Sequence, residues 1–217
     1  MENALLDGTK ILFTGDSITE SGRRSDLAQD LGFGFVQIFS DMLTTRNPEK
    51  NISIVNTGIG GNTINHLLTR CHDDIIEYAP DVVVILIGIN DATRFMDRST
   101  SLHAGVDDFK KIYIELIDEI KNSLPNCQIV LVEPFYLSRG KHINGSYREK
   151  LKFLLNNYNK VIGDISSIYK FKLIPLSYHF TALMKFKLSS TFSGDKIHPN
   201  RVGHFVIAEL IYDSLKG

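Results

Sequence analysis

Four short polar segments of this chain carry side chains that could do chemistry together: Gly15-Asp16-Ser17-Ile18-Thr19, Asn56-Thr57-Gly58-Ile59-Gly60-Gly61-Asn62-Thr63, Gly88-Ile89-Asn90-Asp91 and Asp195-Lys196-Ile197-His198-Pro199. Acyl transfer requires a nucleophile, a base to take its proton, an acid to fix the tautomer of the base, and donors for the developing oxyanion. The segments hold one candidate for each part. Ser17 offers the hydroxyl, His198 the imidazole and Asp195 the carboxylate. The backbone N–H groups of Ser17 and Gly61 and the side-chain amide of Asn90 offer the donors, and glycine at 61 lets the backbone approach a substrate closely. The chemistry expected is ester hydrolysis through an acyl-enzyme, with no cofactor and no metal.

Each of these residues also has a bland reading. Ser is favoured where a helix starts after a strand, so Ser17 taken alone reads as an N-cap. Asp16 reads as a turn or capping residue, Asn56 as a loop brace, Asp91 as a cap and Asn90 alone as a turn residue. The glycines at 58–61 suggest a phosphate loop, but Thr63 stands where G-x-G-x-x-G needs its last Gly, and no Gly-Lys-Ser/Thr ending follows. His66, His72, His103, His142, His179 and His204 form no zinc-type motif, and His204 reads as a packing or surface residue of the last helix. The Arg23-Arg24 pair reads as solvated, with substrate contact the less favoured alternative.

These residues need a frame that brings them together. Short apolar runs rich in β-branched residues at 10–13, 52–55, 82–87, 129–132 and 172–176 predict five buried strands. Helical stripes separate them: Phe35, Val36, Phe39, Met42 and Leu43; then Ile112, Ile114, Leu116, Ile117 and Ile120; then Leu151, Leu154, Leu155, Tyr158, Val161 and Ile165. Alternating strands and helices predict a parallel sheet with right-handed crossovers in a three-layer α/β/α domain. Ligands of such sheets bind beyond the carboxyl ends of the strands, where the first three polar segments fall. Pro199 suits the first turn of the last helix, which places His198 at its mouth. Turns or loops are expected at 125–126 and 138–145, and no linker or repeat divides residues 1–217, so one domain is expected.

Composition narrows the function classes. Lys and Arg number 24 against 25 Asp and Glu, so no global field gathers nucleic acid or anionic lipid. No stretch approaches the roughly 18 apolar residues of a membrane span, and the first residues lack a signal-peptide pattern. Cys71 and Cys127 have neither metal-type nor redox-type spacing, so a cytoplasmic location with reduced thiols is expected. The expected partner is a small-molecule ester, and a homo-oligomer is compatible with the sequence.

The four segments, in this order and over nearly the whole chain, resemble the SGNH hydrolase superfamily, the GDSL esterases and lipases. The resemblance implies a flavodoxin-like five-stranded parallel sheet. It implies Ser17 as nucleophile and oxyanion donor, Gly61 and Asn90 completing the oxyanion hole, and Asp195 and His198 completing the triad. The first block reads Gly-Asp-Ser-Ile where the family name has Leu, an apolar exchange without catalytic consequence. Gly22-Arg23, Gly58 to Thr63, Gly88 to Asp91 and Pro134-Phe135-Tyr136 resemble bacterial acetylxylan and acetyl-xylooligosaccharide esterases. That implies an acetylated carbohydrate as substrate. Near the rim, Arg23, Phe95 and Tyr136 as substrate-contact candidates, with Arg94 and Phe192 as further rim residues, are compatible with a sugar without demanding one. Gly194 precedes Asp195 where such esterases can carry Trp, and the chain has no Trp. The alternatives are a broad carboxylesterase or lipase, an acyltransferase with the same triad, and a flavodoxin-like binding module. An α/β-hydrolase fold is disfavoured because G-x-S-x-G is absent.

Overall fold

The apolar runs of the sequence are the strands of one parallel sheet. The computed structural model describes residues 5–24, 30–97, 105–137 and 144–216. Strands β1 (Lys10–Gly15), β2 (Ser53–Asn56), β3 (Val82–Leu86), β4 (Gln128–Val132) and β5 (Lys172–Ile174) pair in the order β2-β1-β3-β4-β5. All four pairings are parallel. The central strand β3, Val-Val-Val-Ile-Leu, is buried at every position, as a strand covered on both faces must be. The expected α/β/α architecture of five parallel strands is the one found.

Helices α1 (Ser17–Glu20), α2 (Phe35–Arg46), α3 (Ile64–Thr69), α4 (Ile89–Asp97), α5 (Val106–Ser123), α6 (Tyr147–Tyr169), α7 (Leu176–Leu183) and α8 (Arg201–Leu215) fill the outer layers. A π-helical turn, His72–Ile76, follows α3, and a 3-10 turn, Ser189–Thr191, follows α7. The stripe read on α2 is its buried face, residue for residue. On α5 the face is rotated. Phe109 and Tyr113 join Leu116, Ile117 and Ile120 in the core, while Ile112 and Ile114 are only partly buried. The reason is aromatic packing: Phe109 stacks on Tyr158 of α6 with ring centroids 4.1 Å apart and meets Tyr113 edge-on at 5.5 Å. No helix of the described residues is long and apolar enough to cross a membrane.

Two boundaries differ from the sequence reading. The fifth run ends at Ile174, because Pro175 leads directly into α7, which the sequence reading did not contain. That helix has no side-chain cap of its own; buried Glu133, just past β4, accepts the Ser177 N–H at 2.9 Å. Pro199 is not in the first turn of the last helix. Asn200 is its N-cap and accepts from the N–H groups of Val202 and Gly203, while Pro199 pairs with Ser193 in an isolated bridge. Of the turn expected at 138–145, residues 138–143 lie outside the described residues, as do His103 and His142.

His204 ties α8 to α2 and is a packing residue. Its Nδ1 accepts the Phe35 N–H at 3.1 Å, and its ring stacks on Phe35 at 6.2 Å. Burial, aided by the charge of His198, pushes its pKa down to about 4. Below pH 6.5 the unfolded chain takes up a proton that the folded one refuses, so this contribution to stability is lost as pH falls from 6.5 to about 4. At roughly 1.4 kcal/mol per unit the loss is about 3 kcal/mol. His204→Gln keeps an acceptor without the titration. In urea unfolding, the stability of this variant relative to the natural chain should rise between pH 7 and pH 4.5. A pH-independent difference between the two would refute the assignment.

Candidate active site

The β1–α1 turn is built to present residue 17. Asp16 is the N-cap of α1, with Oδ1 accepting the Ile18 N–H at 2.9 Å, so Ser17 is the first helical residue rather than the cap. Ser17 Oγ lies 3.0 Å from His198 Nε2, and His198 Nδ1 lies 2.8 Å from Asp195 Oδ2. An ionised carboxylate can only accept, so Nδ1 carries the ring proton and the Nε2 lone pair faces the hydroxyl. The other Asp195 oxygen, Oδ1, accepts the N–H groups of Ile197 and His198, each at 2.7 Å. Partial burial works to raise the Asp195 pKa. The His198 ring bond, the two backbone donors and the His198 charge outweigh it and hold the carboxyl below its ordinary value. Buried Ser193 braces this turn, its hydroxyl bonding the carbonyls of Asp195 and His198.

The loop from Thr57 to Thr63 is pinned peptide by peptide. Arg70 donates to Thr57 O and Asn56 Oδ1 accepts the Gly58 N–H. Arg23 Nε donates to Gly58 O at 2.8 Å, and Ile59 N–H reaches Gly15 O. Glu20 Oε2 accepts the Gly60 N–H at 2.6 Å, and Arg94 Nη2 donates to Gly61 O at 2.6 Å. Asn62 N–H bonds Ile59 O, and Asn90 Nδ2 donates to Asn62 O at 3.0 Å. Among the described residues the Gly61 N–H, the Gly60 carbonyl and the Ser17 N–H make no hydrogen bond, and one amide hydrogen of Asn90 is left over. A Cβ on Gly60 would lie 3.8 Å from Ser17 Cβ, so this loop borders the nucleophile candidate. Gly61 has φ +79°, and a Cβ there would meet nothing nearer than Arg94 at 3.5 Å. Its glycine therefore answers a backbone requirement, the left-handed φ, and its Cβ position is open on the protein side. At Gly58 close approach does decide, since a Cβ would fall 2.4 Å from Glu20 N.

Two buried carboxyls underlie this rim. Burial pushes Asp16 and Asp91 each up to about 7; a backbone donor, Ile18 N–H and Ile64 N–H respectively, opposes the shift. Among the described residues Asp16 Oδ2 is buried without a hydrogen-bond partner, while both Asp91 oxygens accept the Ile64 N–H that opens α3. The capping role read for Asp16 holds; Asp91 lies inside the first turn of α4 and accepts the first N–H of α3 instead of capping its own helix, because the β3–α4 and β2–α3 junctions meet at one rim. Asn56 is the expected loop brace, donating also to Thr19 O and Leu31 O.

The remaining candidates are placed differently. Arg23, read as solvated, is half-buried on Gly58 O. Phe192, read as a rim residue, is buried and packs edge-on against Phe180. Phe95 lines a cavity of about 460 Å³ between α4 and α6 with Met96, Val106 and Phe153, and Tyr136 lines another of about 140 Å³ against α6 and α7. Neither Ser17 nor His198 lines either of these two cavities, but the Leu137 N–H bonds Lys196 O at 2.9 Å, which places the segment carrying Tyr136 against the Asp195–His198 turn. A grouping that no sequence motif signals, His72 with Asp73 and Glu77, has ligand atoms within 4.8 Å of one another on the exposed π-helical turn before β3. The glutamate and arginines on the loop were also missed as a set, having no motif.

Residues 13–205 match the GDSL-like lipase/acylhydrolase family. The chain belongs to this family. It is thereby a serine hydrolase. It is 31% identical over 207 residues to an acetylxylan esterase of Geobacillus stearothermophilus, covering 93% of this chain and 91% of that one. The solved structure of that esterase superposes with a TM-score of 0.85 at 29% identity, covering 99% and 97% of the two chains. An α/β-hydrolase enzyme from the metagenome of Lake Arreo superposes at 0.87 with 25% identity, covering 99% and 98%. Catalytic mutants of the Geobacillus esterase replace a serine, an aspartate and a histidine, the last two three positions apart, as Asp195 and His198 are here. A further mutant replaces a tryptophan directly before that aspartate, the place held here by exposed Gly194, around which a Cβ would meet nothing within 4 Å.

Asp91 supplies a test of the buried acid beneath the site. A carboxyl raised from 3.8 to about 7 leaves the folded state holding a proton that the unfolded chain has lost, so its contribution to stability falls as pH rises through that window. Asp91→Asn stays neutral and keeps an acceptor for Ile64 N–H. Its stability relative to the natural chain should climb between pH 4 and pH 8 in denaturant titrations. A difference that is flat or falls with pH would show Asp91 to be ionised in the fold.

Proposed function

We propose that this chain is an esterase acting on acetylated sugars, with Ser17 as nucleophile, His198 as base, Asp195 as the acid that orients it, and Ser17 N–H, Gly61 N–H and Asn90 Nδ2 as oxyanion donors. The observation that carries the reading is the Ser17–His198–Asp195 chain of contacts at 3.0 and 2.8 Å beside a loop whose Gly61 N–H is left without a partner. Ser17 Oγ attacks the ester carbonyl as its proton passes to His198 Nε2. The tetrahedral oxyanion takes hydrogen bonds from the unpaired donors, and the imidazolium returns its proton to the leaving alcohol. Water repeats the sequence on the acyl-enzyme. Asp195, held ionised, stabilises the imidazolium.

The substrate class is carried by the family and by the acetylxylan esterase that matches over 93% of the chain. Acetyl is favoured over long acyl chains because the Ser–His pair lies at an open rim, with His198 and Asp195 side chains 46% and 57% exposed, rather than at the end of an apolar tunnel. Residues 1–217 act as one catalytic domain, and the cytosol is the proposed location. Both cysteines are free and buried, with thiols pushed up to about 12 chiefly by burial, as suits structural rather than exchanging thiols.

Treatment with an organophosphonate should place one adduct on Ser17, and Ser17→Ala should be inactive; an adduct elsewhere, or an active Ser17→Ala, overturns the nucleophile. Asn90→Ala should lower kcat by roughly 10²–10³-fold with little change in KM. A KM effect alone would make Asn90 a ground-state contact. In a substrate panel, p-nitrophenyl acetate should outrun the octanoate and palmitate esters, and acetylated xylobiose should be deacetylated. Failure on acetylated xylose and xylobiose alike would remove the carbohydrate assignment and leave a short-chain esterase.

A further inference from the structure

The Gly60–Gly61 peptide is the one unit of the Thr57–Thr63 loop that is bonded at neither end among the described residues. It is also flanked by two glycines, so nothing intrinsic to its side chains resists rotation of the whole peptide plane about its neighbours. Such a flip would swing the Gly61 N–H away from the nucleophile and turn the Gly60 carbonyl toward it, replacing an oxyanion donor by a repelling acceptor. What opposes rotation is a pair of opposite charges on the two adjoining peptides. Glu20, the last residue of the helix that carries Ser17, holds the Gly60 N–H at 2.6 Å. Arg94, one turn beyond Asn90 on α4, holds the Gly61 carbonyl at 2.6 Å. Each grip is charge-assisted, the stronger kind of hydrogen bond, and each comes from an element that also carries a residue of the proposed site.

We infer that Glu20 and Arg94 are positioning residues that clamp the Gly60–Gly61 peptide from both sides and so hold the Gly61 N–H in its oxyanion-binding orientation. The inference rests on the reading of Gly61 as an oxyanion donor. Neither residue touches the reacting atoms in this scheme. Asn90 and Arg94, at i and i+4 of one helix, bind the successive carbonyls of Asn62 and Gly61 respectively, so α4 fixes this loop while leaving the second Asn90 hydrogen for the oxyanion.

The test uses Glu20→Ala and Arg94→Ala beside the conservative Glu20→Gln and Arg94→Lys, on one ester and its thionoester. Loss of either grip should lower kcat roughly 10²-fold, the scale of a misplaced catalytic group, with KM within about threefold of the natural value. Glu20→Gln keeps an acceptor and should stay within about threefold of the natural kcat; Arg94→Lys should recover part of the Arg94→Ala loss. Sulfur is a poor hydrogen-bond acceptor, so preference for the ester over the thionoester measures the oxyanion hole and should shrink in both alanine variants. A rescue follows from the space at Gly60. A Cβ there would lie 2.7 Å from Glu20 Oε2, and its φ lies outside the left-handed range. Gly60→Ala should therefore impair the natural chain but restore part of kcat in Glu20→Ala, where the clash is gone and the alanine stiffens the peptide. Natural kcat in both alanine variants, or a rise in KM with kcat and thionoester preference unchanged, overturns the clamp while phosphonate labelling of Ser17 leaves the esterase reading intact. Absence of that labelling condemns the reading itself.

Discussion

The site depends on a constraint of backbone hydrogen bonding. A main-chain N–H or C=O that folds without a partner is costly unless water or a ligand reaches it, so native loops bond nearly all of theirs. Between Thr57 and Thr63 this rule is met by side chains from α1, α3 and α4 and the segment after α1, and it is relaxed at one peptide, Gly60–Gly61, where Gly60 is exposed and Gly61 half-buried. For the proposed reaction, a donor held in place by its neighbours and left free of protein partners is preorganised for a developing negative charge, because no reorganisation is needed when that charge appears. The sheet order places the residues that do this. The β1–α1 turn, the loop after β2 and the first turn of α4 stand on the adjacent strands β2, β1 and β3, so their short polar segments converge at one rim.

Charge beneath that rim is managed by burial. In the proposed reaction an ionised carboxylate near the oxyanion would oppose catalysis, and Asp16 and Asp91, the neighbours of Ser17 and Asn90, are both wholly or almost wholly buried. Both are pushed up to about 7, chiefly by desolvation and for Asp91 also by the charge of Asp16, which favours the protonated acids under mildly acid conditions, Asp16 capping α1 and Asp91 accepting the first N–H of α3. Asp195 has the opposite environment. It is more than half exposed and accepts two backbone N–H groups as well as the His198 ring, which together keep it charged where a charge is useful to an imidazolium. The two kinds of acid are distinguished by solvent access and donor count, not by sequence.

That difference explains what the sequence disclosed. The strands were legible because five short β-branched runs have no other stable use, and the α2 stripe because five apolar residues at helical spacing leave only one face to bury. The α5 face was misread by part of a turn because Phe109 and Tyr113 gain ring contacts that spacing does not show. Helix α7 was invisible because its cap, Glu133, lies 44 residues away. In the site, Asp195 and His198 were legible because their contact spans three residues within one turn. The grips of Glu20, Arg23 and Arg94 on the glycine loop span 33 to 40 residues, and a charged side chain on a helix end carries no mark of the carbonyl or N–H it will meet. At Gly61 the sequence also concealed one requirement, the left-handed φ that favours glycine there.

Exposure of the Ser–His–Asp chain has a consequence for how the proposed reaction gains its electrostatics. With His198 and Asp195 open to water, their attraction is screened in the free protein, and the donors of the glycine loop face solvent. A substrate that covers Gly60, Ser17 and His198 excludes that water and strengthens these interactions together, so the alcohol part of the ester helps to set the catalytic field as well as the affinity. An acyl group as small as acetyl cannot cover the rim by itself. The covering then falls to the alcohol, and a sugar ring is broad enough to do it while its hydroxyls replace the water they displace. On this account the small acyl group and the bulky polar alcohol are linked requirements of one open site, rather than two separate specificities.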